Sequence, residues 1–195
     1  MTSHPVDKAH RLLAPRIAYL IGTKDTDRVP NLIPVSNVTS VSTQPQHVLV
    51  AVHKHWTTYR NLLRADGFTV SVPSLSQLEG VWKLGARYSH FSTTEPAAKL
   101  AASGLALDYD ASSYGPVLTD GIGWLACRTI ERTDVGGDHG IVIGAIEHVR
   151  FNPPYLASDG TPAGEIQPLM KQTGNRFTTS GPMRSIPYYG DGGAE

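Results

Sequence analysis

Three β-favouring runs crowd the first quarter of the chain with only loop-length gaps between them: RIAYLIGT (16–23), LIPVSNVTSVS (32–42) and HVLVAVH (47–53). A doubly wound parallel sheet needs a helix between most strand pairs, and these gaps leave no room for one. Neighbouring strands here must therefore run antiparallel. A fourth run, GFTVSVP, starts at Gly67. Two longer ones, GWLACRTIER (123–132) and DHGIVIGAIEHVRF (138–151), flank a turn at Val135–Gly137 and read as a hairpin. Helical spacing appears only between them: TTYRNLLRADG, with Thr57 or Thr58 as cap and Leu62 and Leu63 inward; LSQLEGVWKLG; and EPAAKLAASG, with Pro96 early and Gly104 as stop. The expectation is a mainly β fold, a closed antiparallel barrel with inserted helices. HVLVAVH reads as a strand buried on both faces.

The 195 residues suit one domain over 1–195, burying roughly 70% of its unfolded surface. Its core spans about 11–152. From 153 to 195 Pro, Gly, Ser and Tyr replace the periodic pattern, marking a C-terminal extension whose extreme end is expected to be disordered. Lys plus Arg and Asp plus Glu balance at 17 each, which gives no electrostatic case for nucleic acid or an anionic membrane. With 17% charged and 40% apolar residues, the charge-poor surface suggests a homo-oligomer. The one cysteine, Cys127, allows no intrachain disulfide, suits a reducing cytoplasm, and reads as a small core residue. No run approaches the roughly 20 apolar residues of a spanning helix, and no signal peptide is read.

Three segments hold the chemistry. In NLIPVSNVTSVSTQP, Ser36, Asn37, Thr39, Ser40 and Ser42 crowd a strand of otherwise β-branched residues such as Val38; these polar groups either hold the heteroatoms of a ligand or make an edge strand polar. In VHKHWTTYRN, a strand end is followed by His53 and Lys54, then by Thr57 and Thr58 opening a helix. That arrangement attracts phosphate or is ordinary capping beside a solvated lysine. His53 and His55 stand two apart on a strand, but no glutamate follows within ten residues, so no metal site is expected. In GGDHGIVIGAIEHVRF, Asp138 can orient His139, and Gly144 interrupts a strand where a bulge or a close ligand would need it.

Together these segments resemble the flavin reductase-like family, whose fold is the FMN-binding split barrel. The resemblance rests on TSVSTQP (39–45), on the strand end and threonines from His53 to Thr58, on WLAC, and on Gly137-Asp138-His139 with Gly144 following. It covers roughly residues 11–152, with a weaker echo in IQPLMKQTGNRF. The family implies an NAD(P)H:flavin oxidoreductase that transfers hydride from a reduced nicotinamide to FMN, with FAD the alternative cofactor. The flavin ring would lie along Ser36–Ser40 and its phosphate near His53, Lys54, Thr57 and Thr58. His139 takes the catalytic position, steering the nicotinamide or flavin, and Arg87 and Tyr88 fall in a loop near the site. A homodimer with flavin at its interface, and a partner oxygenase, are further implications. The alternative within the family is an FMN protein that serves a dedicated small molecule or carries electrons. The chain departs from the pattern at Val35-Ser36-Asn37-Val38, where family reductases often carry Ala-Asn-Ser-Phe. The aromatic expected against the flavin is absent there. A GxGxxG fingerprint is also missing, so the nicotinamide would bind transiently over the flavin.

Overall fold

Alternation of apolar side chains along the strands decides which faces pack. The computed structural model describes residues 6–85, 95–153, 155 and 166–182. Its strands are β1 (Arg16–Ile17), β2 (Tyr19–Lys24), β3 (Pro30–Val35), β4 (Val38–Thr43), β5 (Gln46–His53), β6 (Gly67–Val72), β7 (Leu107–Asp108), β8 (Val117–Leu118), β9 (Gly123–Thr133), β10 (His139–Phe151), β11 (Met170–Thr173) and β12 (Arg176–Thr178). The helices are α1 (Thr57–Leu62), α2 (Leu78–Leu84) and α3 (Pro96–Ser103), with short 3-10 turns at Val6–Leu13 and Leu75–Gln77. α3 stops where Gly104 turns left-handed at φ 67°, as its sequence predicts.

One antiparallel sheet of seven strands, in the order β3-β2-β6-β9-β10-β5-β4, dominates. The ladder does not close among the described residues, because β3 and β4 form its two edges. Yet only Ser36 and Asn37 separate these edges in the chain. Two residues span little more than about 10 Å, so the sheet must curl until its edges meet at that link. The expected single strand over 32–42 is thus two strands at opposite edges. Pro34 lacks the amide that a central strand would need, and the Asn37 amide oxygen accepts a 2.7 Å bond from Arg16 Nη1 while its carbonyl accepts from Ala51 N.

Inside the curl, Ile21, Val35, Val48, Val50, Val52, Leu62, Phe68, Val70, Cys127 and Val142 form the first core. The opposite face of β2 and β3 sends Leu20 and Leu32 into a second core with Val81 and Leu84 of α2, Leu100 of α3 and Leu169. β5 departs from expectation: Val48, Val50 and Val52 are buried, while Leu49, Ala51 and His53 on its other face are only half-buried. Leu63, expected inward, is 47% exposed, whereas Leu62 is fully buried.

Gly144 sits at a register shift of β10 against β9, the bulge its sequence position allowed, and the side its missing Cβ would occupy is filled by the core. A Cβ there would stand 2.8 Å from the Phe68 ring and from Cys127 Cβ, so the glycine leaves room for that ring in the first core. Cys127 beneath it is inert, its thiol pushed up to about 12 by burial. The hairpin β11–β12, not foreseen from the sequence, turns at Gly174 (φ 57°) and pairs through β11 with β1.

Candidate functional site

Helix α1 is too short to stand by propensity alone, and buried polar bonds seat it. Asn31 Nδ2 on β3 donates to Thr58 Oγ1 at 2.7 Å, and Asn61 Nδ2 donates to Thr23 Oγ1 on β2 at 3.0 Å. At the other end, Arg132 of β9 donates from Nε to the Leu62 carbonyl and from Nη2 to that of Ala65, at 2.8 and 2.6 Å. The bond to Leu62 satisfies an orphan carbonyl of the last turn, and the one to Ala65 pins the chain just after it. Neither threonine caps the helix: the cap residue is Trp56, with no side-chain bond.

A cavity of about 420 Å³ opens beside the first turn of α1, within the range of small-molecule sites. Its apolar walls come from Ile33, Pro34 and Val35 of β3, Ala51 of β5, Leu84 of α2, and Phe177 of β12. Ser36, Asn37, Thr57, Thr58 and His139 line it too, so the fold brings together one residue group from each of the three segments singled out in the sequence. Val38, Thr39, Ser40, His53 and Lys54 stand outside the lining. Val38 packs against the first core, and Thr39 and Ser40 are exposed on edge strand β4. Lys54 Nζ is held by Asp134 at 2.7 Å, and that contact keeps the Asp134 carboxyl below its ordinary range. Arg87 and Tyr88 lie outside the described residues.

The hydroxyls of Thr57 and Thr58 share a property. Thr57 Oγ1 accepts from Arg60 Nη2 at 2.9 Å, and Thr58 Oγ1 accepts from Asn31. Each hydroxyl also carries a donor hydrogen, and among the described residues neither hydrogen has a protein acceptor. Two hydroxyl donors thus border the cavity from a fixed helix. Behind them, Lys99 of α3 is buried and donates to Asn31 Oδ1 at 3.4 Å; desolvation holds its amine below the ordinary lysine value.

His139 opens β10 in register with His53, their rings 5.3 Å apart. Asp138 Oδ1 lies 2.6 Å from His139 Nδ1. The ionised carboxylate only accepts, so Nδ1 carries the proton and Nε2 remains for a ligand. The bond to His139 keeps the Asp138 carboxyl below its usual range. His53 Nδ1 accepts from the His55 amide, and its ring stacks on Trp56 at 5.7 Å. Among the described residues no group of three or more His, Cys, Asp and Glu is arranged to hold a metal ion.

Sequence reasoning missed the apolar walls of the cavity and, with them, its contribution from the C-terminal hairpin. Lys171 and Phe177 come from the β11–β12 hairpin, with Lys171 Nζ 4.4 Å from the Phe177 ring centre and its amine lowered by desolvation. The Gly174-Asn175 pair between MKQT and RFT was the available signal, a two-residue hairpin turn.

The family model described as the flavin reductase like domain matches residues 11–178. The chain belongs to the flavin reductase-like family. Among solved structures it is similar to flavoredoxin of Desulfovibrio vulgaris, with TM-score 0.74 and 24% identity over 88% of this chain and 90% of that one. It is similar also to an FMN-binding protein of Thermus thermophilus (TM-score 0.76, 18% identity, 96% and 98% covered). A third likeness is to an NADH:FAD oxidoreductase of Streptomyces globisporus (TM-score 0.71, 19% identity, 94% and 100% covered). At these identities the likenesses establish the fold, a large antiparallel sheet of the split-barrel kind. Among the described residues no helix is long and apolar enough to cross a membrane.

Proposed function

We propose that the chain is a flavin-dependent oxidoreductase which holds the FMN moiety of its cofactor in the 420 Å³ cavity and takes hydride from a reduced nicotinamide. The observation that carries this reading is the pair of donor hydroxyls, Thr57 and Thr58, at the edge of an apolar slot whose volume suits a planar ring system. The bound flavin would supply the redox chemistry, accepting hydride and passing electrons onward. The residues supply position and electrostatics. Thr57 and Thr58 donate to phosphate oxygens; Ile33, Pro34, Leu84 and Phe177 keep water from the ring. Asn37, gripped by Arg16, stiffens the link that borders the slot. His139, oriented by Asp138, steers the nicotinamide at the rim and is not an obligatory acid. Lys171 sets a positive charge on the lining. Membership of the family and the fold shared with proteins that bind FMN or FAD support the reading.

The working unit in this proposal is a cytoplasmic homodimer. Exposed apolar side chains on β4, β9 and β10, namely Val41, Ile130, Val149 and Phe151, supply a surface for a second copy. The test is the absorbance spectrum of the purified protein, followed by NADH and NADPH oxidation with added FMN. Bound flavin and faster oxidation are expected. Tight flavin with negligible turnover of free flavin would instead favour the electron carrier or a dedicated substrate. A colourless protein that neither binds FMN nor accelerates oxidation contradicts the proposal.

A further inference from the structure

Among the described residues that line the 420 Å³ cavity, Lys171 is the only lysine or arginine, and no aspartate or glutamate is present. The two histidines of the lining belong to segments beside α1: His55 lies between β5 and α1, and His139 stands in register with His53. Lys171 comes from elsewhere. It is the β11 residue paired with Phe177 of β12, and both line the cavity. Its Nζ atom lies 4.4 Å from the centre of the Phe177 ring and 5.4 Å from that of Trp82, and it donates to the Gly174 carbonyl. The Trp82 and Phe177 rings meet edge to face at 5.9 Å, which backs the hairpin against α2. Ring faces attract a cation, while the apolar surroundings withhold water from it; desolvation holds the amine below its ordinary value. A negative charge arriving in the cavity therefore favours the protonated amine and is favoured by it.

The proposed reaction delivers such a charge. Hydride transfer breaks a C–H bond of the reduced nicotinamide and forms an N–H bond on the flavin ring, and the electron pair travels with the hydrogen. The nicotinamide leaves as its oxidised cation, and the ring becomes one unit more negative. With the phosphate at Thr57 and Thr58, the ring lies against the apolar walls, of which Phe177 is one. Its strand partner Lys171 shares that wall. In such surroundings a fixed charge acts on a neighbouring one more strongly than it does in water. We infer that Lys171 stabilises the negative charge of the reduced flavin ring, so that the chain binds reduced FMN more tightly than oxidised FMN and raises the potential of the bound cofactor. The inference rests on the proposed function, because it takes a flavin ring to occupy the cavity.

The two-electron potential of bound FMN tests it, read against a reference dye during slow anaerobic reduction of wild type, Lys171→Met and Lys171→Arg. Wild type should hold FMN at a potential above that of free FMN. Lys171→Met keeps an apolar stem against the rings and removes the charge. It should lower the preference for reduced over oxidised FMN by at least about tenfold, a fall of about 30 mV, while the dissociation constant of oxidised FMN changes less than about threefold. Lys171→Arg restores the charge and should stay within about threefold of the wild-type preference. A wild-type potential at or below that of free FMN overturns the inference while leaving flavin binding intact. An unchanged potential in Lys171→Met, with affinity lost equally for oxidised and reduced FMN, assigns the lysine to the cofactor's phosphate and overturns it equally. A fall of the same size in Lys171→Arg as in Lys171→Met attributes the effect to packing and also overturns it. Failure of oxidised FMN to bind wild type marks the failure of the underlying reading.

Discussion

Two hydroxyl-rich stretches of this chain look alike on paper and fold to opposite purposes. In β4, Thr39 and Ser40 are exposed on a sheet edge, and their hydroxyls turn to carbonyls of their own strand, at Ser40 and Ser42, both at 3.4 Å. At the start of α1, Thr57 and Thr58 accept bonds from Arg60 and Asn31 and keep their hydrogens for whatever enters the cavity. The hydroxyls are the same chemically; the surroundings differ. On β4 they keep an unpaired edge polar, which discourages association through the strand. On α1 they border a concave apolar slot. A hydroxyl becomes a ligand donor when the fold places it in a hollow and supplies a partner for its oxygen but none for its hydrogen.

The comparison can be broken at the α1 side first. Thr57→Val with Thr58→Val should weaken flavin binding by at least about 100-fold, since each lost bond to a charged group is worth about 1.5–3 kcal/mol; a fluorescence titration reads this. Thr58→Val alone also strands the buried Asn31 amide, and urea melts should show a loss of about 1–3 kcal/mol. Gly144→Ala sharpens the contrast between site and core. Its Cβ meets Phe68 and Cys127, and overpacking of this kind should cost about 1–3 kcal/mol of stability with flavin affinity unchanged.

The wall behind Thr58 has its own signature in pH. Lys99 is held below its ordinary value of 10.5 by desolvation. For a base so depressed, the unfolded chain binds more protons than the folded one between the two values. The stability of wild type relative to Lys99→Met should therefore rise as pH climbs through the lowered value towards 10.5, and denaturant midpoints at successive pH values measure it. The smallest effect belongs to β4: Thr39→Ala and Ser40→Ala should each change stability by no more than about 0.5 kcal/mol and leave flavin affinity alone.

Much of the strand inventory was legible, because two-residue alternation and turn residues are local signals. The β9–β10 hairpin, α3 with its Gly104 stop, and the threonine-led α1 all lie within a residue or a few of their sequence expectation. The break at Ser36–Asn37 was not legible. β-branched and apolar residues continue on both sides of it, and only the meeting of two sheet edges shows that the strand must end. The packing role of Gly144 was not legible for a related reason: its neighbours across the fold, Phe68 and Cys127, are distant in sequence, so packing and ligand approach leave the same trace. Asn31 and Lys99, which brace Thr58 from 27 and 68 positions away along the Asn31–Thr58 and Asn31–Lys99 pairs, leave no local trace at all. The site residues came forward only where chemistry and local pattern coincided, at Ser36, Asn37, Thr57, Thr58 and His139, which now share one cavity.

Titration of the purified protein with FMN, followed by quenching of flavin fluorescence beside Trp56, tests the central claim most directly. The account predicts saturable one-to-one binding per chain that is lost in the Thr57→Val, Thr58→Val double variant and kept in Thr39→Ala. Binding that survives the double variant unchanged, or no saturable binding in wild type, contradicts it.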